Sequence, residues 1–388
     1  MKNVRYGIVG LGNMGSAHAK SIQNGDIKGA VLTAVCDILP KRLENFENVE
    51  KFTDYKEMIL AKTVDAVIIA TPHYFHPEIA VFAFENGINV LSEKPAGVYT
   101  KQIKEMIKSA KKYKKAFSIM FNQRTTPAFI KARELFLKGA IGTPKRFVWI
   151  VTNWYRTQHY YDSGDWRGNF KGEGGGVLMN QAPHNLDIWQ WIFGMPKSVF
   201  AKIAYGKYHN ISVEDEAQIF AEYENGAVAH FITSTGEYPG TNRLEISGDK
   251  GKITLENNKL TLYTTEEHER NFCFEKQEDC YAPHITKKTF EFDDKVQGHI
   301  ALLQNFTNHI LFGEKLIANG EEGLNEAEIC NASYMSAWTN EKVDLPIDDE
   351  KFYSLLQNKI ENEKENKSKN NKNNIPSGEY FERWNVKW

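Results

Sequence analysis

The chain has 388 residues, 41% of them hydrophobic, and a formal net charge of −2 at pH 7. That length allows two ordinary domains, each with a core of its own. The near-neutral charge gives no electrostatic footing for nucleic acid or an anionic membrane surface, and no apolar run is long enough to span a bilayer.

Nothing at the N-terminus reads as a signal peptide. Four cysteines, Cys36, Cys273, Cys280 and Cys330, form no C-x-x-C pair, which suits a reduced, cytoplasmic protein with no metal site. Residues 6–9 are a short apolar strand, followed at once by Gly10-Leu11-Gly12-Asn13-Met14-Gly15. A helix over 16–24 and a second apolar strand over 31–36, ending on Asp37, complete the unit. The spacing has a chemical reason. Gly10 permits the tight turn, Gly12 lets backbone approach a pyrophosphate, and Gly15 lets the helix pack against the strand. N–H groups at the helix start then bind phosphate oxygens, and an acid about 20 residues on takes ribose hydroxyls. Asp37 sits in that place.

Strands and helices go on alternating: a helix over 55–61, an unbroken apolar strand over 64–70, a helix over 77–86, and a strand over 88–91. A helix over 100–113 and a strand over 116–120 follow. Repeated βα units predict an α/β domain with a doubly wound parallel sheet and a ligand at the strand ends. Those ends carry Asp37, Thr71, His73, Glu93, Lys94 and Gln123. The lysines over 108–115 read as a solvated helix face.

Near Arg124 the pattern changes. A helix over 127–138 and a strand over 147–153 lead into an aromatic, glycine-rich stretch over 154–176 and an amphipathic helix over 179–193. Longer strands in hairpin order fill 199–263, with the strongest turn signal at Asn225-Gly226. Helices over 298–310 and 322–338 are expected to close this second, α+β domain, an open and mainly antiparallel sheet. The expected division is 1–124, 125–357 and a last segment over 358–388.

Two stretches beyond the glycine turn carry chemistry. Glu93-Lys94-Pro95 ends a strand facing the nucleotide, where a lysine can hold a substrate hydroxyl and stabilise a developing alkoxide. Pro95 fixes the turn, and its peptide bond is open to either isomer. The second runs from Gly174-Gly175-Gly176 through Asn180 and His184 to Asp187. Asn180 and His184 are four apart and so are expected on one helix face. A histidine can accept an alcohol proton near neutral pH.

Together these stretches resemble the glucose–fructose oxidoreductase and inositol dehydrogenase (Gfo/Idh/MocA) family over nearly the whole chain. The glycine turn, Thr71-Pro72 with His76, Glu93-Lys94-Pro95, Trp166-Arg167 and the 174–187 segment carry the resemblance. It implies NAD(P)-dependent hydride transfer between a sugar, glycoside or cyclitol hydroxyl and the nicotinamide. It also implies a small-molecule substrate and a homo-oligomer, a dimer or a tetramer. A lysine and a histidine act with an aspartate four residues before that histidine. Lys94 and His184 match, but the aspartate's place holds Asn180. Asn180 can orient a hydroxyl yet supplies no negative charge, which leaves open how protons divide between Lys94 and His184. Expected cofactor contacts are Gly10, Gly12, Asn13, Met14, Gly15, Asp37, Arg42, Thr71, Pro72, His73, His76, Glu93, Lys94 and Gln123. NAD is favoured over NADP because Asp37 would repel a 2′-phosphate, a repulsion that Lys41 and Arg42 could soften. Expected substrate contacts are Lys94, Tyr161, Trp166, Arg167, Asn180 and His184, with Trp154, Tyr155, His159 and Tyr160 nearby. Two alternatives stay open: an NAD-assisted glycoside hydrolase, and a nucleotide-binding regulator without catalysis.

The last segment is read in two parts. Residues 358–374 are almost wholly Asn, Lys, Glu and Ser, too polar to bury a core and so read as a tether. Tyr380, Phe381, Trp384 and Trp388 then follow, and are expected to be buried on this subunit or a neighbour.

Overall fold

The computed structural model describes residues 3–276, 282–292 and 298–363. Its first domain runs β1 (Val4–Val9), α1 (Asn13–Gln23), β2 (Ala30–Cys36), α2 (Pro40–Leu43), β3 (Glu50–Phe52), α3 (Tyr55–Leu60), β4 (Ala66–Ile69), α4 (Phe75–Glu85), β5 (Asn89–Ser92), α5 (Thr100–Tyr113) and β6 (Phe117–Ile119). All six strands are parallel, in the order β3-β2-β1-β4-β5-β6. Every residue of β4 is buried, as expected for a strand covered on both faces. The order reverses between β1 and β4, so the crevice at their carboxyl ends is the natural ligand position. Gly10 and Thr71 lie there.

A 3-10 turn at Asn122–Thr125 leads to the second domain. Its elements are α6 (Pro127–Leu137), β7 (Pro144–Val151), α7 (Gln158–Asp162), α8 (Val177–Asn180), α9 (Pro183–Phe193), β8 (Ser198–Tyr205), β9 (Glu214–Glu222), β10 (Val228–Ser234), β11 (Asn242–Gly248), β12 (Gly251–Glu256), β13 (Lys259–Thr265), α10 (Glu269–Glu275), β14 (Ile285–Glu291), α11 (Gly298–Phe312), α12 (Gly323–Thr339), β15 (Val343–Asp344) and α13 (Asp349–Glu361). Nine strands form one sheet in the order β14-β13-β12-β11-β7-β10-β9-β8-β15, antiparallel except where β10 meets β7. The predicted hairpin at Asn225-Gly226 joins β9 to β10. On the covered face Trp189 of α9 stacks between Phe147 and Phe231, with ring centroids 5.7 Å and 6.0 Å away. These large rings supply much of the apolar area that fixes α9 to the sheet.

Three expectations need correction. The helix read over 179–193 is two helices, broken at Gln181-Ala182. Pro183 is the cause: it has no N–H to continue the ladder. Second, α11 does not close the second domain. Leu302, Leu303 and Phe306 join the first domain's core, and the Tyr6 and Thr307 hydroxyls meet at 2.8 Å. Its apolar stripe fits that core as well as any other, and sequence alone does not choose. Third, α13 carries helix past residue 358 to Glu361, and the Glu363 carboxylate accepts from Phe170 N–H at 2.6 Å. The polar stretch therefore starts as packed structure, anchored by Phe352 and Leu356. The aromatic end over 375–388 lies outside the described residues, as does Cys280.

A fully buried cation helps to hold the junction. Arg124 is 1% exposed and donates Nε and Nη2 to both Asp187 oxygens, at 2.8 Å and 2.6 Å. Its Nη1 donates to Glu322 at 2.5 Å. The fork of five N–H donors suits such a bidentate grip, which ties the first domain's last turn to α9 and to the residue that caps the start of α12.

Candidate active site

Gly10 and Gly15 have the geometry that the spacing of the glycine turn predicts. Gly10 has φ +90°, and a Cβ on it would stand 2.6 Å from the Ala70 carbonyl oxygen. A Cβ on Gly15 would run into the Gly10 carbonyl, so this glycine is needed for helix–strand packing. Gly12 differs: a Cβ there would meet nothing within 4 Å. The chain's own packing does not demand glycine at this position, but a closely approaching ligand would. Gly12 is also the N-cap of α1 and offers no side-chain cap to the first turn, where Asn13 and Met14 sit partly exposed. Those uncapped N–H groups, with the helix dipole, suit a phosphate. At the end of β2, Asp37 accepts from Leu11 N–H at 2.7 Å and Leu39 N–H at 2.9 Å, and pairs with Arg42 at 3.1 Å. Two more buried atoms at the strand ends, Thr71 Oγ1 and Gln123 Oε1, have no hydrogen-bond partner among the described residues. Buried polar atoms are seldom left so, and a bound dinucleotide would give them partners. The residues present fit NAD.

Other predicted cofactor contacts are committed to the protein itself. Glu93 accepts from His18 of α1 at 2.7 Å. Burial pulls its pKa up, but the His18 contact and the charges of His299 and Lys94 hold it down to about 2. His76 is buried with its ring nitrogens 2.9 Å and 2.8 Å from the Pro95 and Thr71 carbonyl oxygens, so it braces the loops after β4 and β5. Pro72 is partly exposed beside Thr71. The His73 Nδ1 lies 2.8 Å from the Glu173 carbonyl oxygen, across the domain junction.

Lys94 leaves the end of β5 through a cis bond to Pro95. Its Nζ donates to the Asn180 backbone oxygen at 2.7 Å and lies 3.4 Å from Asn180 Oδ1. The break between α8 and α9 makes this contact possible. In an unbroken helix His184 N–H would occupy that carbonyl. Burial lowers Lys94 to about 8, a shift that Glu93 opposes. Asn180 and His184 therefore do not share one continuous helix face, yet both remain at Lys94. His184 is 4% exposed, and its Nδ1 is buried without a partner among the described residues. Burial, and then the Lys94 charge, push its pKa well below 6.5, so its ring is neutral at pH 7.

The predicted substrate wall is only partly assembled. Trp166 packs its edge on His73 at 5.4 Å, and Arg167 lies over the Trp166 and Tyr160 rings at 4.3 Å each. The Tyr160 hydroxyl accepts from Arg167 at 2.5 Å, Gln181 at 3.0 Å and Asn180 at 3.2 Å. Tyr161, its neighbour in α7, turns the other way: it is buried, with its hydroxyl 2.8 Å from Thr235 Oγ1. Trp154 is buried too, donating to Asn185 at 3.1 Å, while Tyr155 and His159 are exposed. Two buried acids here went unforeseen. Glu173 accepts from Gly168 N–H at 2.7 Å and from the Asn180 side chain. Glu326 of α12 is 1% exposed with neither oxygen partnered among the described residues, and burial raises its pKa well above 4.5. Glu173 directly precedes the glycine triplet, a signal within reach of sequence reading; Glu326 sits in a plain amphipathic helix and offers none.

Residues 4–121 match the oxidoreductase family with an NAD-binding Rossmann fold, GFO_IDH_MocA, and residues 129–254 match a GFO/IDH/MocA C-terminal domain. This chain belongs to the GFO/IDH/MocA oxidoreductases. Similar family members include the D-glucoside 3-dehydrogenase of Escherichia coli, 27% identical over 88% of this chain and 97% of that protein. Another is the myo-inositol 2-dehydrogenase of Thermotoga maritima, 25% identical over 82% of this chain and 92% of that one. Among solved structures, the WlbA dehydrogenase from Bordetella pertussis, in complex with NADH and UDP-GlcNAcA, superposes with a TM-score of 0.75. It is 26% identical, over 89% of this chain and 100% of that one. As in the family, an NAD-binding Rossmann domain is followed by a largely antiparallel sheet domain. Among the described residues, no helix is long and apolar enough to cross a membrane, and no group of three His, Cys, Asp or Glu could hold a metal ion.

Proposed function

We propose that this oxidoreductase is a cytoplasmic, NAD-preferring dehydrogenase of a secondary hydroxyl on a sugar, glycoside or cyclitol. One observation carries the reading: a half-buried ammonium, Lys94, and a buried neutral imidazole, His184, stand together at the junction of the two domains. When bound, NAD supplies the hydride acceptor. The chain's own residues handle the proton and the oxygen. His184 takes the hydroxyl proton. Lys94 holds the oxygen as its negative charge develops, which a cation in a low-dielectric site does better than water. Asn180 and the domain junction keep the Lys94 side chain in place. Trp166, Arg167 and Tyr160 form the wall against which the substrate lies, aromatic faces meeting C–H faces and polar groups meeting hydroxyls. Glucoside and inositol dehydrogenases among the relatives support this substrate class.

NAD is preferred to NADP because the buried Asp37 carboxylate occupies the ribose end of the crevice. A dimer or tetramer is the expected assembly, which light scattering reads directly. The test of function is a screen of monosaccharides, glycosides and inositols for NADH formation. Sugar-dependent net NADH supports the reading; release of aglycone with no net NADH would instead assign an NAD-assisted hydrolase.

A further inference from the structure

Glu173 is 1% exposed, and the chemistry above leaves it without a task. Its carboxylate meets only donors. Gly168 N–H gives to Oε2 at 2.7 Å, the Asn180 amide nitrogen gives to Oε1, and the Arg167 guanidinium stands 3.7 Å from Oε1. A protonated carboxyl would have to aim a hydrogen at one of these groups, so the donor set suits the ionised form. Burial raises its pKa from the ordinary carboxylate value, and Arg167, Gly168, Asn180 and Lys94 pull the other way.

The same contact fixes the Asn180 amide. Its Nδ2 is held by Glu173 and by the Tyr160 hydroxyl at 3.2 Å, which turns Oδ1 toward the Lys94 ammonium at 3.4 Å. The amide is thus polarised from both ends, with a carboxylate at its N–H and a cation at its oxygen.

We propose that Glu173 is a positioning residue that supplies this site's negative charge, acting on Lys94 through the Asn180 amide. The proposal rests on the dehydrogenase reading only in taking Lys94 as the group that meets the reacting oxygen. Residue 180 is neutral, but the charge is not missing from the site. It stands one hydrogen bond further back. Two consequences follow. Asn180→Asp is not a benign change, since it sets two carboxylates where a donor and an acceptor now meet, and one must take up a proton. Exchanging both residues, Glu173→Gln with Asn180→Asp, reverses the hydrogen bond. The introduced glutamine then donates to the introduced aspartate, which faces Lys94 directly.

Other charges act on Lys94 as well. Glu93 precedes it in the strand end, Arg167 and Glu173 face it from the glycine-rich stretch, and Glu326 faces it from α12. His73, His76, His184 and His299 complete its titratable surroundings. Only Glu173 among these acids is linked to Lys94 through an intervening amide.

The test reads Lys94 without substrate. Competitive labelling with acetic anhydride across pH, followed by peptide mass spectrometry, gives its titration in the full chain. A profile of kcat/KM against pH, with the best sugar from the screen, is taken in parallel. In Glu173→Gln the Lys94 titration should fall by roughly one pH unit. The ratio kcat/KM should fall by about tenfold, and the double exchange should recover most of both, a coupling between neighbours. A Lys94 titration unmoved in Glu173→Gln, or a double variant whose loss is the sum of the two single losses, overturns the proposal. Should Glu173→Gln fold poorly, the double variant decides: a wild-type titration supports the proposal and a lowered one overturns it. A wild-type chain that makes NADH from no sugar would defeat the dehydrogenase reading, while the labelling would still decide this one.

Discussion

The Lys94 ammonium donates to the backbone oxygen of Asn180 at 2.7 Å, joining the last turn of one domain's β5 to the gap between two helices of the other. The contact needs both domains, and it places the candidate lysine beside the candidate histidine. Lys94→Ala should therefore lower kcat by roughly 100-fold or more, the usual range for a lost acid–base group, and His184→Ala should do the same. NADH affinity, read by fluorescence titration, should stay nearly unchanged in both. Normal turnover by Lys94→Ala would refute the site.

The pH profile should carry the mark of a partly desolvated lysine. Burial lowers Lys94 to about 8, whereas an ordinary lysine titrates near 10.4. The cation is the form that holds a developing alkoxide, so kcat/KM should decline as pH rises through about 8. His184, pushed well below 6.5, stays neutral over that range and adds no limb there. A profile flat to pH 10 would contradict the assignment of Lys94.

Pro183 keeps α8 and α9 apart, and with them the Asn180 carbonyl free for Lys94. Pro183→Ala restores an N–H and lets the helix run through. His184 N–H then competes for the Asn180 oxygen. The variant should melt no lower than wild type yet lose about tenfold in kcat/KM, on the order of 1.4 kcal/mol. Unchanged kcat/KM would show that the helix break has no functional weight.

Cofactor choice is expected to turn on Asp37 and Arg42. The Asp37 carboxylate is 4% exposed and already accepts two backbone N–H groups, so it cannot swing away from an incoming 2′-phosphate. NAD should be preferred by at least about tenfold in kcat/KM, a difference of on the order of 1.4 kcal/mol. Asp37→Ser, which leaves Arg42 without its carboxylate, should shrink that ratio. Equal efficiency with NADP in the wild type would count against the assignment.

Stability should depend on the buried pair at the junction. Arg124→Ala strands the Asp187 carboxylate, which is 0% exposed, and should cost about 3–5 kcal/mol in urea denaturation. Arg124→Met with Asp187→Leu removes both charges and should recover a large part of the loss. A single variant as stable as wild type would mean that the pair contributes little.

By itself the sequence determined five of the first domain's six parallel strands, missing the short edge strand β3 and the small helix α2 before it. Its signals are local: the glycine turn, Asp37 at the end of the next strand, and apolar runs whose length and period leave little choice of structure. The parallel sheet, the change of architecture near Arg124 and the Asn225-Gly226 hairpin follow from such signals. Lys94 and His184 were legible as candidates, because Glu93-Lys94-Pro95 and the glycine triplet are distinctive side by side, and the fold brings the two near each other. What only tertiary structure decided depends on partners distant in the chain. The apolar stripe of α11 fits either core, and contact with Tyr6 settles which. Tyr160 and Tyr161 read alike, and only the rotation of α7 turns one toward the site and the other into the core. Pro183 announces a possible break, but the use of the freed carbonyl is fixed by a lysine 86 residues away. Asn180 looked like the loss of a charge. The fold places Glu173 behind it, and no rule of spacing could have told that the carboxylate would point there.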